Sequence, residues 1–147
     1  MARIYVASSW RNEYQPSIVE YLRLKGHEVY DFRNPPNGVP GFAWSSAGMP
    51  PRESLLAETY REVLTTSPVC ALGFQNDFRA MQWADTCLLV LPCGRSAHLE
   101  AGWFCGAGKR CIILTQDYEE PELMALMATD ICVSMAEVIK VLKGGDA

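Results

Sequence analysis

The run Thr86-Cys87-Leu88-Leu89-Val90-Leu91 carries no charge and is bounded by Asp85 and Pro92. Apolar residues without polar alternation predict a central strand covered on both faces, the signature of a parallel sheet. Such a sheet needs crossover helices, and the flanking sequence supplies them. Arg3–Ala7 is a short β-rich opening run. After Ser8-Ser9, the apolar residues Ile18, Tyr21 and Leu22 recur at i, i+3 and i+4, and Gly26 closes that helix. Residues 27–32 predict a second strand, and 52–64 a helix with Leu55, Leu56, Tyr60 and Val63 as its apolar stripe. Residues 77–83 predict another short helix ahead of the central strand. The turn Cys93-Gly94-Arg95-Ser96 leads into a helix over about 97–105, with a strand at 111–114. A last short strand at 131–133 precedes a helix ending near Leu142.

Strands alternating with helices predict an α/β fold: a doubly wound parallel sheet of about five strands, flavodoxin-like, with helices on both faces. The 147 residues suit one domain, 1–147, interrupted by a long Pro- and Gly-rich loop at about 33–51. In open parallel sheets, ligands bind beyond the carboxyl ends of the strands. The turns after the first strand and after the central strand are therefore where chemistry is expected.

Composition narrows the partners. Thirteen basic against 17 acidic residues leave a charge of -4, without the basic footprint that a phosphate backbone requires, so nucleic acid is not expected. A single small anion needs only a few local cations or amides. No stretch reaches the roughly 20 apolar residues of a membrane span, and the N-terminus is too short an apolar run for a signal peptide, so a cytoplasmic protein is expected. Among the six cysteines, Cys87, Cys111 and Cys132 fall in strand-like runs and read as buried hydrophobes. With two histidines and no Cys-x-x-Cys pair, neither a metal site nor a cofactor is expected.

Several residues are placed to act. Gly94, Ser96 and Glu100 follow the central strand, in what the pattern predicts to be the first turn of a helix. Free amides and the helix dipole there favour an anion and an ionised Glu100, although a glutamate early in a helix is also ordinary dipole complementation. His98 sits at the same helix start. Asp77 follows Gln75-Asn76 and reads either as a residue facing a pocket or as a helix N-cap. Tyr5 lies in the first strand, where an aromatic is normally core. Trp10 between Ser9 and Arg11 is set to stack on a planar ligand or to pack at the rim. Two other chemistries fail: Cys93-Gly94-Arg95 lacks the cradle of a cysteine phosphatase, and Ser96 and His98 are too close in sequence for a nucleophile and its base.

Together, Ile4-Tyr5-Val6-Ala7-Ser8-Ser9-Trp10, Asn76-Asp77, Ala84-Asp85 and His98-Leu99-Glu100-Ala101-Gly102-Trp103 resemble the nucleoside 2-deoxyribosyltransferase family, which includes the related 2'-deoxynucleoside 5'-monophosphate N-hydrolases. The resemblance runs from Arg3 to about Val133, outside the Pro-rich loop. It implies that Glu100 attacks the anomeric carbon, that the Tyr5 hydroxyl orients Glu100, and that Asp77 protonates the departing base. It implies further that Trp10 lines the base pocket, that Ser9 and Arg11 grip a 5'-phosphate, and that Glu122 reaches the 5' end of the sugar in a neighbouring subunit. Gly94, Ser96 and His98 complete the expected substrate contacts. Glu122 stands where the family has a neutral residue, and a carboxylate there would repel a phosphate.

The expected function is cleavage of the N-glycosidic bond of a (deoxy)nucleoside, with transfer of the sugar to another base. Hydrolysis of (deoxy)nucleoside 5'-monophosphates is the alternative, and a non-catalytic nucleotide-binding module the second alternative. The expected partner is a small-molecule nucleoside or nucleotide. A homodimer or higher homo-oligomer is also expected, in part because Trp103 and Phe104 are adjacent on one helix and one of the two aromatics would face outward.

Overall fold

Strand β3 (Thr86–Val90) is buried along its whole length and lies at the centre of a five-stranded, all-parallel sheet. With β1 (Arg3–Ala7), β2 (Glu28–Tyr30), β4 (Arg110–Leu114) and β5 (Asp130–Cys132), the order is β2-β1-β3-β4-β5, the flavodoxin-like arrangement. The computed structural model describes residues 1–144, without the side chain of Asn37; residues 145–147 of the expected domain lie outside it. The chain divides into two compact units, one of residues 1–31 and 81–147 and one of residues 32–80.

In the first unit, alternate strand residues face opposite ways. Ile4, Val6, Leu88, Val90 and Ile112 join Ile18, Val19 and Leu22 of α1 (Gln15–Leu24) and Val138, Ile139 and Leu142 of α6 (Met135–Gly144) in one core. Each such aliphatic side chain contributes about 1.5–3 kcal/mol by leaving water. The other face carries Tyr5 and is covered by α5 (Arg95–Gly106), whose Ala97, Ala101 and Phe104 are buried. Small residues at 97 and 101 let this helix lie close to the strands. Lys109, after α5, donates to the carbonyls of Met81, Gln82 and Ala84 at 2.7–3.1 Å. A cation thereby satisfies the carbonyls that a helix end leaves open.

The second unit differs from the sequence expectation. The predicted helix over 52–64 is a 3₁₀ turn, Arg52–Ser54, followed by α3 (Ala57–Thr66). Leu55 and Leu56 are extended, with ψ of 113° and 150°, so they never join the helical stripe. The predicted short helix over 77–83 is the end of a longer one, α4 (Pro68–Trp83). Its start is fixed by the Ser67 hydroxyl, which accepts the Cys70 N–H at 3.4 Å, and by Pro68, which has no N–H to leave unsatisfied. Within the 33–51 loop, a 3₁₀ turn (Pro36–Gly38) and α2 (Trp44–Ala47) form. Phe42 packs edge-on against Trp44, and a Cβ at Gly73 would meet the Phe42 ring at 2.8 Å, so only glycine fits there. Among the described residues no helix is long and apolar enough to cross a membrane.

Candidate active site

The sheet changes winding direction between β1 and β3, and the loops that leave their carboxyl ends are tied together there. The Ser8 hydroxyl donates to the Val90 carbonyl at 2.9 Å. Asn12, almost fully buried, donates from Nδ2 to the carbonyls of Val90 and Pro92 at 3.5 and 3.1 Å. Its Oδ1 accepts the Tyr14 and Gln15 N–H groups and so organises the start of α1. One side chain thus locks both loops of the crevice.

Beside this crevice, the Tyr5 hydroxyl donates a hydrogen bond to Glu100 Oε2. Tyr5 is 1% exposed and held by rings: Tyr30 stacks on it at 5.3 Å and 11°, and Phe104 tilts against it at 5.8 Å. Glu100 is half-buried on α5. Because α5 begins at Arg95, two residues earlier than expected, Glu100 falls in the second turn and not the first. The helix dipole acts mainly within the first turn, so the phenol of Tyr5 takes over as its oriented donor.

The remaining candidate residues, except Asp77, follow strand ends in the same unit. Ser9, Trp10 and Arg11 follow β1; the Arg11 N–H donates to the Ser9 hydroxyl at 3.1 Å, and Trp10 is 51% exposed. Gly94 is the N-cap of α5, Ser96 lies exposed in its first turn, and His98 Nδ1 is 3.0 Å from the Gly94 carbonyl. Glu122 is exposed at the start of the 3₁₀ helix Leu123–Met127, which follows β4. Asp77 belongs to the other unit, half-buried in the interior of α4; it is neither in a turn nor an N-cap. Trp103 is half-buried rather than exposed, edge-on to Phe104 with the Lys109 ammonium 5.3 Å over its ring.

Four cysteines lie on β3, β4, α5 and the turn after β3. Burial pushes Cys93 up to about 12, with Glu119 and Glu100 adding to the rise. It therefore stays protonated at neutral pH, and its 3.6 Å approach to His98 makes no nucleophile. Cys87 and Cys111 are register partners on β3 and β4. Their hydrogen bond raises Cys87 and, with one from Cys105, holds Cys111 down at about 7 against burial. Among the described residues no group of three or more His, Cys, Asp or Glu is arranged to hold a metal ion.

This fold occurs in known enzymes. A 2-deoxyribosyltransferase from Bacillus psychrosaccharolyticus superposes with a TM-score of 0.57 at 22% identity, over 92% of this chain and 88% of that one. The CMP N-glycosidase of Clostridium botulinum superposes at 0.51 and 15% identity, over 95% and 97%. The fold is the one these two enzymes share. Neither a protein-family model nor a curated protein sequence matches the chain.

Asn12 and Tyr30 were not singled out in the sequence, although each holds part of the site. A lone Asn in a polar turn looks like any solvated one, and a Tyr ending a strand looks like core. Only the partners that they meet across the sheet set them apart.

Proposed function

We propose that this chain belongs to the nucleoside 2-deoxyribosyltransferase family, cleaves the N-glycosidic bond of (deoxy)nucleosides and transfers the sugar to another base. The observation that carries the reading is the Tyr5–Glu100 hydrogen bond beside the β1/β3 crevice. A phenol that donates to one carboxylate oxygen fixes the direction of the whole group. As the bond to the base breaks, the sugar becomes oxocarbenium-like, and the Glu100 carboxylate stabilises that charge and then bonds to the anomeric carbon. Asp77 donates a proton to the departing base. In the second half the incoming base attacks the anomeric carbon, Asp77 takes its proton, and Glu100 leaves as a carboxylate. Two displacements retain configuration. Trp10 stacks on the base, while Gly94, Ser96 and His98 flank the sugar.

A second reading, hydrolysis of 5'-monophosphates with water as acceptor, is favoured by Ser9 and Arg11 on the loop after β1, a hydroxyl and a guanidinium suited to a phosphate. The likeness to a CMP N-glycosidase supports it as well. A homo-oligomer belongs to either reading. Its support is the run Leu123, Met124, Leu126 and Met127, each at least half exposed, next to Glu122.

Incubation with deoxynucleosides or their 5'-monophosphates, with and without a free acceptor base, separates the two by chromatography. A new nucleoside indicates transfer, and free base with sugar phosphate indicates hydrolysis. Trapping of a sugar on the Glu100 peptide, detected by mass, tests the covalent step. Absence of both products, with only ligand binding, would overturn the enzymatic reading.

A further inference from the structure

We propose that Tyr30 is a positioning residue: its ring fixes the plane of the Tyr5 phenol, so that the Tyr5 hydroxyl meets Glu100. The inference rests on the reading above for its catalytic consequence, but its geometry stands on three separate observations. Tyr30 and Tyr5 are register partners on β2 and β1, so their side chains leave the same face of the sheet side by side. Their rings are stacked at 5.3 Å and 11°, an offset-parallel arrangement and not a chance edge contact. Phe104 is a second ring against Tyr5, tilted at 5.8 Å and 40°. Tyr30 is itself buried, 7% exposed.

The consequence follows from lever length. The Tyr5 hydroxyl is at the far end of a rigid side chain, so a small swing of the ring shifts it by a large fraction of a hydrogen-bond length. Removal of the Tyr30 ring takes away the stacked neighbour that lies parallel to the Tyr5 ring and so gives that ring room to swing. Glu100, on a separate element, then loses its oriented donor for part of the time. A misplacement of about 1 Å at a reacting group costs up to about 10²-fold in rate. Partial loss of orientation is expected to cost less, about tenfold. The Tyr30 hydroxyl is not required for this role; the flat ring is.

The test uses the full chain with Tyr30→Phe, which keeps the ring, and Tyr30→Leu, which removes it. Tyr30→Ile, with a strand-favouring side chain, serves as the second ring-free variant should Tyr30→Leu fail to fold. With Cζ-labelled tyrosine, the hydroxyl proton of Tyr5 is identified by its loss in Tyr5→Phe. Its resonance is expected to persist in the wild type and Tyr30→Phe, and to broaden away in the ring-free variants. In the same proteins, kcat is expected to fall about tenfold without the ring, at a KM within about twofold, and to be restored by phenylalanine. An unchanged Tyr5 resonance together with an unchanged kcat in a folded ring-free variant overturns the inference. A wild type that cleaves no glycosidic bond while the resonance behaves as expected overturns the proposed function instead, and leaves Tyr30 as the residue that sets Tyr5.

Discussion

The Tyr5 phenol donates to Glu100 across 95 positions of sequence, from the middle of a buried strand to the second turn of a helix. A hydrogen bond to a charged group contributes about 1.5–3 kcal/mol. Tyr5→Phe is therefore expected to lower kcat by about 10- to 100-fold with little change in Tm, because the ring stays packed. Glu100→Gln keeps the shape but not the nucleophile and is expected to fall by at least about 10³-fold. Steady-state kinetics and thermal melts of both variants check this. Near-normal turnover in Glu100→Gln would remove Glu100 from the chemistry.

Asp77→Asn is expected to lower kcat more than it raises KM, since its proton is needed only as the base departs. Its interior position in α4 means that the exchange leaves the helix intact. A leaving group that needs no proton, such as a nitrophenolate that departs as a stabilised anion, should be much less sensitive to the variant. An effect confined to KM would make Asp77 a binding residue only.

The parallel sheet and its central strand were readable because parallel strands announce themselves as unbroken apolar runs. Helix α1 was readable from Ile18 and Leu22, although Val19 completes its buried stripe while Tyr21 is exposed, and Gly26 after it takes φ of 93°, where glycine is favoured. Helix α4 was not. The polar triplet Gln75-Asn76-Asp77 looks like a turn, while the actual start, Ser67-Pro68, lies beside a weakly periodic stretch. The candidate site divides similarly. Its residues follow strand ends, which topology predicts, but the Tyr5–Glu100 pairing came only with a resemblance. No spacing rule links positions 5 and 100. Asn12 carried no signal at all, because its role is set by carbonyls on another strand.

Asn12→Ala is expected to destabilise the fold by about 2–4 kcal/mol, since it removes up to four hydrogen bonds, including the donor to the Pro92 carbonyl and the acceptor of the Tyr14 and Gln15 N–H groups, while Ser8 still donates to Val90. For a chain of this size that corresponds to a fall in Tm of about 5–15 °C. The crevice loops should loosen together, so hydrogen exchange is expected to rise at residues 8–15 and 90–94 in the same variant. Faster exchange in only one of the loops would show that Asn12 does not couple them.

Cys93 makes a pH-dependent prediction. Its folded pKa, about 12, lies above the ordinary 9.0, so the thiol keeps its proton in the folded state after the unfolded chain has lost it. Stability from this group is complete below pH 9 and is lost as pH rises towards 12, by at most about 1.4 kcal/mol per pH unit. Cys93→Ser should flatten that part of the alkaline profile and leave activity at pH 7 unchanged. Denaturant titrations of both proteins between pH 8 and 10.5 measure the difference. Identical slopes would show that the Cys93 thiol is not held protonated by the fold.

On the proposed reading, Glu122 opposes Ser9 and Arg11 at the 5' end of the substrate. In the single chain its carboxylate is exposed, so its repulsion of a phosphate is screened within about 8 Å and amounts to about 0–1 kcal/mol, well under a buried charge. That corresponds to a preference for nucleosides over 5'-monophosphates of at most about fivefold. The apolar neighbours Leu123 and Met124 change the expectation if a second copy covers them, because Glu122 is then enclosed with them and the repulsion grows as the dielectric falls. Glu122→Ser should therefore raise kcat/KM on monophosphates relative to nucleosides, more strongly at protein concentrations where light scattering shows an oligomer. The gain should shrink in high salt if Glu122 stays exposed, and persist if it is enclosed. A wild type already faster on the monophosphate, with Glu122→Ser making no difference, would mean that Glu122 faces away and that Ser9 and Arg11 bind the phosphate unopposed.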